Sequence, residues 1–249
     1  LGRPGTGVNP LRGQNNVQGA CDMGCLPATL PGYLKVNTGA AAEKTRALWG
    51  CAPPEKAGLT VAAMMEAAAK GDIGALFIMG ENPAVTDADT GHAVHTLGNL
   101  DFLAVQDIFL TETARLADVV LPAACWPEKE GTCTNTTRAV QLLRKACDPP
   151  GGARDDWRTF VELAKRFGHQ WRFDSAKDIF EEIRKANPAY AGMNYERLER
   201  GYLQWPCPDE NHPGTPVLHK EKFARAGGKA IFSPCEWSAP HEWPDGEYP

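Results

Sequence analysis

Short apolar segments that alternate with helical segments constrain the fold of this chain most tightly. The run IGALFIM at residues 73–79 is bounded by turn residues on both sides, and two further short runs follow, FLAVQD at 102–107 and DVVLP at 118–122. Continuous apolar runs of this length are typical of buried strands in parallel sheets. The segments between them have helical character, so the pattern predicts an α/β fold with right-handed crossovers and a doubly wound parallel sheet.

Helices are predicted before and between these strands. Residues 60–70, TVAAMMEAAAK, can begin at Thr60 as the N-cap and end at Gly71. A weaker helical pattern covers residues 88–98, and TETARLAD predicts one further helical turn before the third strand.

The chain changes character after the hinge-like stretch DPPGGARDD. A helix is predicted from Asp156 to Phe167, and a second one begins at SAKD, where Ser175 and Asp178 have the spacing of a capping box. From Gln204 onward, Pro, Gly and Trp are dense, which predicts irregular structure with short strand pairs.

Three domains are therefore predicted. Residues 1–33 are rich in Gly, Pro, Asn and Gln and are expected to form an ordered loop that leads into a short helix. Residues 34–149 contain the α/β pattern. Residues 150–249 are expected to be helical and then irregular, and to pack against other parts of a larger protein.

Composition and charge exclude several classes of partner. Hydrophobic residues make up 43% and charged residues 23%, as in ordinary soluble domains, and the formal net charge is −5. The sequence has no long basic run, so neither nucleic acid nor an anionic membrane surface is an expected partner. The apolar runs are too short for a bilayer crossing.

The eight cysteines predict no metal site. No CxxC pair occurs, and CDMGC offers only a C-x3-C spacing. In a chain of this length, scattered cysteines are typical of buried, reduced thiols in a cytosolic protein.

Polar residues follow the first two predicted strands. MGENP supplies Gly80, Glu81 and Asn82, and QDIFLTET supplies Gln106 and Asp107. Ligands bind beyond the carboxyl ends of strands in open α/β sheets, so these side chains form a candidate ligand site. Neither a GxGxxG nor a P-loop motif is present. The alternative is ordinary turn chemistry, for which Gly, Asn, Pro and Asp are equally suited.

The opening stretch GVNPLRGQNNVQGACDMG is a second candidate site. Arg12 carries a planar guanidinium that matches a carboxylate with two hydrogen bonds, and Gln14 can donate and accept beside it. The alternative is a polar surface loop interrupted by glycines.

This opening stretch resembles the signature of molybdenum- or tungsten-dependent formate dehydrogenases, within the molybdopterin oxidoreductase family. Further segments resemble the family in the same order, among them IMGENPAVTD, VQDIFLTETARLADVVLP, DDWRTFVELAKRFG, QWPC and GKAIFSPCEW. The middle segments are general to the family, whereas the opening one is more specific to formate enzymes.

The resemblance implies roles for individual residues. Arg12 would hold the formate carboxylate, and Gln14 would help to position substrate and pterin. The implied cofactor is molybdenum or tungsten held by two molybdopterin guanine dinucleotides. The implied contacts to one dinucleotide are Gly80, Glu81 and Asn82. Gln106 and Asp107 would bind its guanine end. Lys129 and Asp156 would complete the site.

The resemblance also implies oxidation of formate to carbon dioxide, or the reverse, in the cytoplasm. A [4Fe–4S] cluster and the cysteine or selenocysteine that ligates the metal are expected outside this chain. The chain is therefore expected to be an internal fragment of a catalytic alpha subunit, inactive alone, with iron–sulfur or flavin electron-transfer subunits as partners. Two alternatives stay open: a molybdopterin enzyme for nitrate or a similar oxyanion, and a non-catalytic relative that serves as a scaffold.

Overall fold

The computed structural model describes residues 11–239, so the parts of the predicted terminal domains at residues 1–10 and 240–249 lie outside the described residues. The described residues up to Pro216 form one compact unit, and those from Val217 form a second, in which no helix or strand is assigned. The boundaries predicted at residues 33 and 149 remain predictions.

The first unit contains helices, strands and two short 3-10 turns. The helices are α1 (Val17–Asp22), α2 (Gly39–Trp49), α3 (Val61–Ala69), α4 (Pro83–Thr86), α5 (Thr90–Gly98), α6 (Glu112–Leu116), α7 (Asp156–Arg166), α8 (Ala176–Ala186) and α9 (Tyr195–Leu198). The strands are β1 (Thr29–Leu30), β2 (Leu34–Lys35), β3 (Ala75–Met79), β4 (Phe102–Asp107), β5 (Val119–Pro122), β6 (Gly131–Thr134), β7 (Ala139–Leu143) and β8 (Leu203–Gln204). The 3-10 turns are Trp126–Glu128 and Pro188–Tyr190.

Strands β3, β4 and β5 form a parallel sheet in chain order, which confirms the predicted α/β architecture. Met79 pairs with Gln106, and Gln106 pairs with Leu121. The carboxyl ends of the three strands therefore meet at one edge of the sheet. Because the described strands follow chain order without a reversal, the doubly wound arrangement remains a prediction.

One face of this sheet carries the core of the α/β region. Helices α3, α5 and α6 cover it, and the buried members of the cluster include Met65, Leu97, Leu103, Val105 and Ala114. Truncating such a residue to alanine costs about 2–5 kcal/mol when the site cannot collapse. This packing holds β4 in place, and the carboxyl end of β4 carries two of the predicted site residues.

On the opposite face of the sheet, the predicted burial of β3 is wrong in part. The run at residues 73–79 was expected to be buried, but β3 lies at the edge of the described sheet, and Phe77 and Met79 are 39% and 43% exposed. Phe77 contacts Phe160 of α7, with ring centroids 5.8 Å apart, so α7 covers part of this face. The central strand β4 has the expected burial on both faces from Leu103 to Gln106.

A three-stranded antiparallel sheet was not predicted. Strand β7 lies between β6 and β8, with Cys133 opposite Gln141 and Val140 opposite Leu203. The hydrophobic core beside β7 includes Val140, Phe180 and Tyr190. This core packs β7 against α8 and against the 3-10 turn that follows α8. The sequence of β6, GTCT, has neither an apolar run nor a clear alternation, so it carries little strand signal.

The predicted helix starts are confirmed. The Thr60 side chain accepts a hydrogen bond from the amide of Ala63 at the start of α3. At α8, Ser175 accepts from the amide of Asp178 at 3.2 Å, and Asp178 accepts from the amide of Ser175 at 2.8 Å. Each such cap contributes about 1 kcal/mol.

The cysteines differ from expectation in burial. All eight are free thiols, but of these only Cys207 is buried, and Cys25, Cys51, Cys147 and Cys235 are exposed. The prediction of buried thiols is therefore wrong for most of them, since they lie in loops, in α1 and on β6, outside the two cores.

None of the helices within residues 11–239 combines the length and the apolar character that a bilayer crossing demands.

Candidate functional site

The loops after β3 and β4 lie side by side at the carboxyl edge of the parallel sheet. The amide of Gly80 donates to the carbonyl oxygen of Gln106 at 2.9 Å. Gly80 has φ +65°, and a Cβ at this position would meet open space. A glycine in this conformation leaves the backbone open to close approach by a ligand.

Three of the predicted cofactor residues form one hydrogen-bonded cluster. Nε2 of Gln106 donates to Oδ1 of Asp156 at 2.7 Å, and Nζ of Lys129 forms an ion pair with Oδ2 of the same carboxylate. The start of α7 reaches this place because Ala123, just after β5, bridges to Arg154. Tertiary structure thus brings together residues from three separate segments.

The amide of Gln106 has one unused group. Its side chain is 1% exposed, and Oε1 receives no hydrogen bond within the described residues. A buried acceptor without a donor costs about 1–3 kcal/mol. A ligand N–H or O–H group at this edge of the sheet would remove that cost.

Asp107 is held in a fixed orientation by its own turn. Its Oδ1 accepts from the amide of Ile108 at 2.7 Å and from the amide of Phe109 at 3.4 Å. Among the described residues, no hydrogen bond uses Oδ2. The carboxylate therefore offers one oriented acceptor oxygen beyond the end of β4.

Asn82 has a positioning role that the sequence did not indicate. Its Oδ1 accepts from the amide of Thr113 at 3.1 Å and from the hydroxyl of Thr113 at 2.7 Å, and its Nδ2 donates to Glu112 at 2.9 Å. This last bond is the main cause that lowers the pKa of Glu112. Asn82 thus fastens the loop after β3 to the start of α6, and its neighbour Glu81 is exposed.

Arg12 and Gln14 line a separate concavity of about 560 Å³. Strands β6 and β7 supply the opposite wall, which includes Cys133 and Gln141. No Asp or Glu lines this concavity among the described residues, so Arg12 carries its one formal charge. Burial raises the pKa of the Cys133 thiol. Arg12 is exposed and donates to Sγ of Cys21 at 3.8 Å, and its positive charge favours an anionic ligand in this concavity.

The wall opposite Arg12 was not predicted from the sequence. The missed lining residues are Trp126, Cys133, Asn135, Thr136, Gln141 and Leu143. Most of them belong to the antiparallel sheet or its connecting turn, which the pattern of residues did not predict. A hairpin prediction at residues 131–143 is the one signal that could have placed them near the opening loop.

Comparison with known proteins decides the family. The family model for molybdopterin oxidoreductases matches residues 1–166. The chain belongs to the molybdopterin oxidoreductase family. The expectation drawn from the opening stretch is thereby confirmed at the level of the family.

Relatives in this family carry formate dehydrogenase names. The chain is 52% identical to the F420-dependent formate dehydrogenase subunit alpha of Methanocaldococcus jannaschii, over all of this chain and 37% of that protein. It is 54% identical to the F420-dependent formate dehydrogenase 2 subunit alpha of Methanococcus maripaludis, with the same coverage. It is 42% identical to formate dehydrogenase H of Escherichia coli, over 35% of that protein. The chain thus spans about a third of the length of these curated relatives.

A solved structure supports the fold alone. Acetylene hydratase from Pelobacter acetylenicus matches with a TM-score of 0.50 and 24% identity, over 66% of this chain and 23% of that one.

A molybdopterin oxidoreductase implies a molybdopterin cofactor with molybdenum or tungsten, and the edge of the parallel sheet fits the organic part of such a group. Gly80 leaves room for a ligand, Gln106 has an unpaired buried oxygen, and Asp107 offers a free carboxylate oxygen. These acceptors match the N–H groups of a pterin or guanine ring. Within residues 11–239, no cluster of three or more His, Cys, Asp or Glu residues could hold a metal ion.

Proposed function

We propose that this chain is part of the catalytic alpha subunit of a formate dehydrogenase, which oxidises formate to carbon dioxide or runs the reverse reaction. One observation carries the proposal: Arg12 is the single formal charge on a concavity that has no carboxylate in its described lining. The relatives named formate dehydrogenase support the choice of formate among small anions.

Arg12 binds and orients the substrate in this proposal. Its guanidinium donates two parallel hydrogen bonds to the two oxygens of formate, which fixes the plane of the anion and the direction of its C–H bond. Gln14, two residues further along the same loop, donates to the substrate or to the pterin. A metal centre bound beside this loop would supply the two-electron redox chemistry, and Arg12 would hold formate with its C–H bond directed toward that centre while one proton is released.

The edge of the parallel sheet holds one of two molybdopterin guanine dinucleotides in this proposal. Asp107 and the free oxygen of Gln106 accept hydrogen bonds from the guanine ring. Lys129 and Asp156 orient Gln106 through the hydrogen bonds described above. Gly80 and Glu81 contact the dinucleotide after β3, where Asn82 holds the loop in position.

The proposed partners follow from the same assignment. The metal ligand and the [4Fe–4S] cluster lie in other parts of the catalytic subunit, and iron–sulfur or flavin subunits carry the electrons away. The name subunit alpha, which two relatives carry, supports an assembly of several subunits. We place this assembly in the cytoplasm.

Substitution of Arg12 by lysine in the complete enzyme tests the proposal. Lysine keeps the charge but loses the planar pair of donors, and one lost charge-assisted hydrogen bond costs about 1.5–3 kcal/mol. We expect kcat/KM for formate to fall about tenfold to over a hundredfold, with normal metal and pterin content. Arg46→Lys, at an exposed position of α2, is the matched control.

Three outcomes would change the assignment. If Arg12→Lys retains the kcat/KM of the parent enzyme, the opening loop does not bind substrate. If the parent enzyme reduces nitrate and does not turn over formate, the chain belongs to an oxyanion reductase. A complete enzyme without molybdenum or tungsten would support the scaffold alternative.

A further inference from the structure

A buried carboxylate lies at the end of α1. It is close in sequence to residues 11–16, which carry Arg12 and Gln14 and are called the substrate loop below. Asp22 is 1% exposed, and its Oδ1 accepts hydrogen bonds from Nε2 of Gln18 and from the hydroxyl of Tyr33, both at 2.8 Å. Its Oδ2 accepts from the hydroxyl of Tyr190 at 2.6 Å. A buried carboxylate is stable only when donors surround it, so these three bonds hold α1 in one position.

The Tyr190 hydroxyl also contacts β6. Its oxygen lies 2.9 Å from Oγ1 of Thr134. Because the single proton of Tyr190 is donated to Asp22, Thr134 must donate to Tyr190. The amide of Thr134 in turn donates to Oδ1 of Asn16 at 2.8 Å.

These bonds close a ring around the base of the substrate loop. The ring runs from Asn16 to Thr134, to Tyr190 and to Asp22, and α1 connects Asp22 back to Asn16. The substrate loop, which carries Arg12 and Gln14, ends at Asn16. The residue before Thr134 is Cys133, which lines the opposite wall of the concavity. The Tyr190 hydroxyl therefore adds a second connection between the two walls, beside the direct bond from Thr134 to Asn16.

We propose that Tyr190 is a positioning residue for formate binding, a role that rests on the function proposed above. Tyr190 is not part of the concavity lining and acts through the loop that it anchors. Without its hydroxyl, Oδ2 of Asp22 and Oγ1 of Thr134 lose a partner. The two walls are then held together less firmly, through the remaining bonds of Asn15 and Asn16 to β6. A shift of about 1 Å in a substrate-positioning group can reduce the rate by up to about a hundredfold.

Tyr190→Phe in the complete enzyme tests this role, and the same core offers a matched control. Tyr190 and Tyr195 are both buried, and both rings pack against Phe180, with centroid distances of 6.3 and 5.5 Å. Unlike Tyr190, Tyr195 has a hydroxyl without a hydrogen-bond partner among the described residues. We expect Tyr190→Phe to lower kcat/KM for formate about tenfold or more, with normal metal and pterin content, and Tyr195→Phe to leave it unchanged.

A double-mutant cycle separates positioning from stability. If Tyr190 acts through Arg12, the effect of Tyr190→Phe on kcat/KM becomes much smaller in an Arg12→Lys background, because coupled residues are not additive. Full additivity, or an unchanged kcat/KM in Tyr190→Phe, would overturn the proposal while the role of Arg12 stands. No effect of Arg12→Lys itself would instead remove the proposed function, so the two failures are distinguishable.

Discussion

Gln106 at the end of β4 donates a hydrogen bond of 2.7 Å to the carboxylate of Asp156 in the first turn of α7, fifty positions further along the chain. The carboxylate also accepts from Lys129, so it uses both oxygens inside the protein. Among the described residues at this edge of the sheet, the amide oxygen of Gln106 and the second carboxylate oxygen of Asp107 remain available to a ligand. This relationship indicates that Asp156 orients Gln106, for which we propose a contact to the guanine ring.

Asp156→Asn in the complete enzyme is expected to lower the pterin content of the purified protein. Asparagine keeps the shape but loses the negative charge that fixes Lys129, so Gln106 is held less firmly. The loss of this partly exposed ion pair alone is expected to cost no more than about 1 kcal/mol of stability. Asp155→Asn, one residue earlier, is the control for the same change of charge at the start of the same helix. Equal pterin content in both variants would contradict the orienting role.

Asp107→Asn is expected to weaken cofactor retention more directly. Asparagine can keep the turn through its remaining oxygen, but it then presents an amide donor where the guanine ring also carries N–H donors. An unmade bond at this place costs about 1–3 kcal/mol, or about fivefold to over a hundredfold in affinity. Cofactor content after dialysis is the measurement, and Asp101→Asn, just before the start of the same strand, is the control. Full occupancy in Asp107→Asn would count decisively against a guanine contact.

A comparison of Gly80→Ala with Gly50→Ala distinguishes the loss of a cofactor contact from the effect of backbone strain. Gly80 and Gly50 have nearly the same φ, +65° and +69°, and both have open space at the Cβ position. Alanine at either position costs about 1 kcal/mol of stability. Only the methyl group at Gly80 would meet the dinucleotide, so pterin content is expected to fall in Gly80→Ala and not in Gly50→Ala. Similar pterin content in the two variants would show that the loop after β3 does not touch the cofactor.

The 249-residue chain expressed by itself is expected to show no formate oxidation. In the proposed assignment, the metal ligand and the iron–sulfur cluster lie in other parts of the catalytic subunit. Formate-dependent reduction of an artificial electron acceptor is the assay, and the complete subunit prepared in parallel is the positive control. Measurable turnover by the chain alone would falsify the division of roles proposed here.

Local sequence was sufficient for the parallel sheet and its helices. The runs that form β3, β4 and β5 are apolar and bounded by turns, and the caps at Thr60 and Ser175 depend on neighbours three residues away. The same logic placed Gly80, Gln106 and Asp107 after strand ends, because parallel strands share one carboxyl edge. The burial of β3 was not predictable in this way, since it depends on which strands and helices lie beside it.

The sequence by itself determined the family and the candidate residues, because both are carried by short, contiguous segments. Tertiary structure decided which distant residues meet. It brings Lys129 and Asp156 to Gln106, and it places β6 and β7 beside Arg12. It also lets Tyr190 anchor the loop that carries Arg12 and Gln14. These pairs lie far apart in the chain and involve polar side chains without periodicity. Their meeting depends on packing and on the pairing of buried polar groups, which no local pattern of residues records.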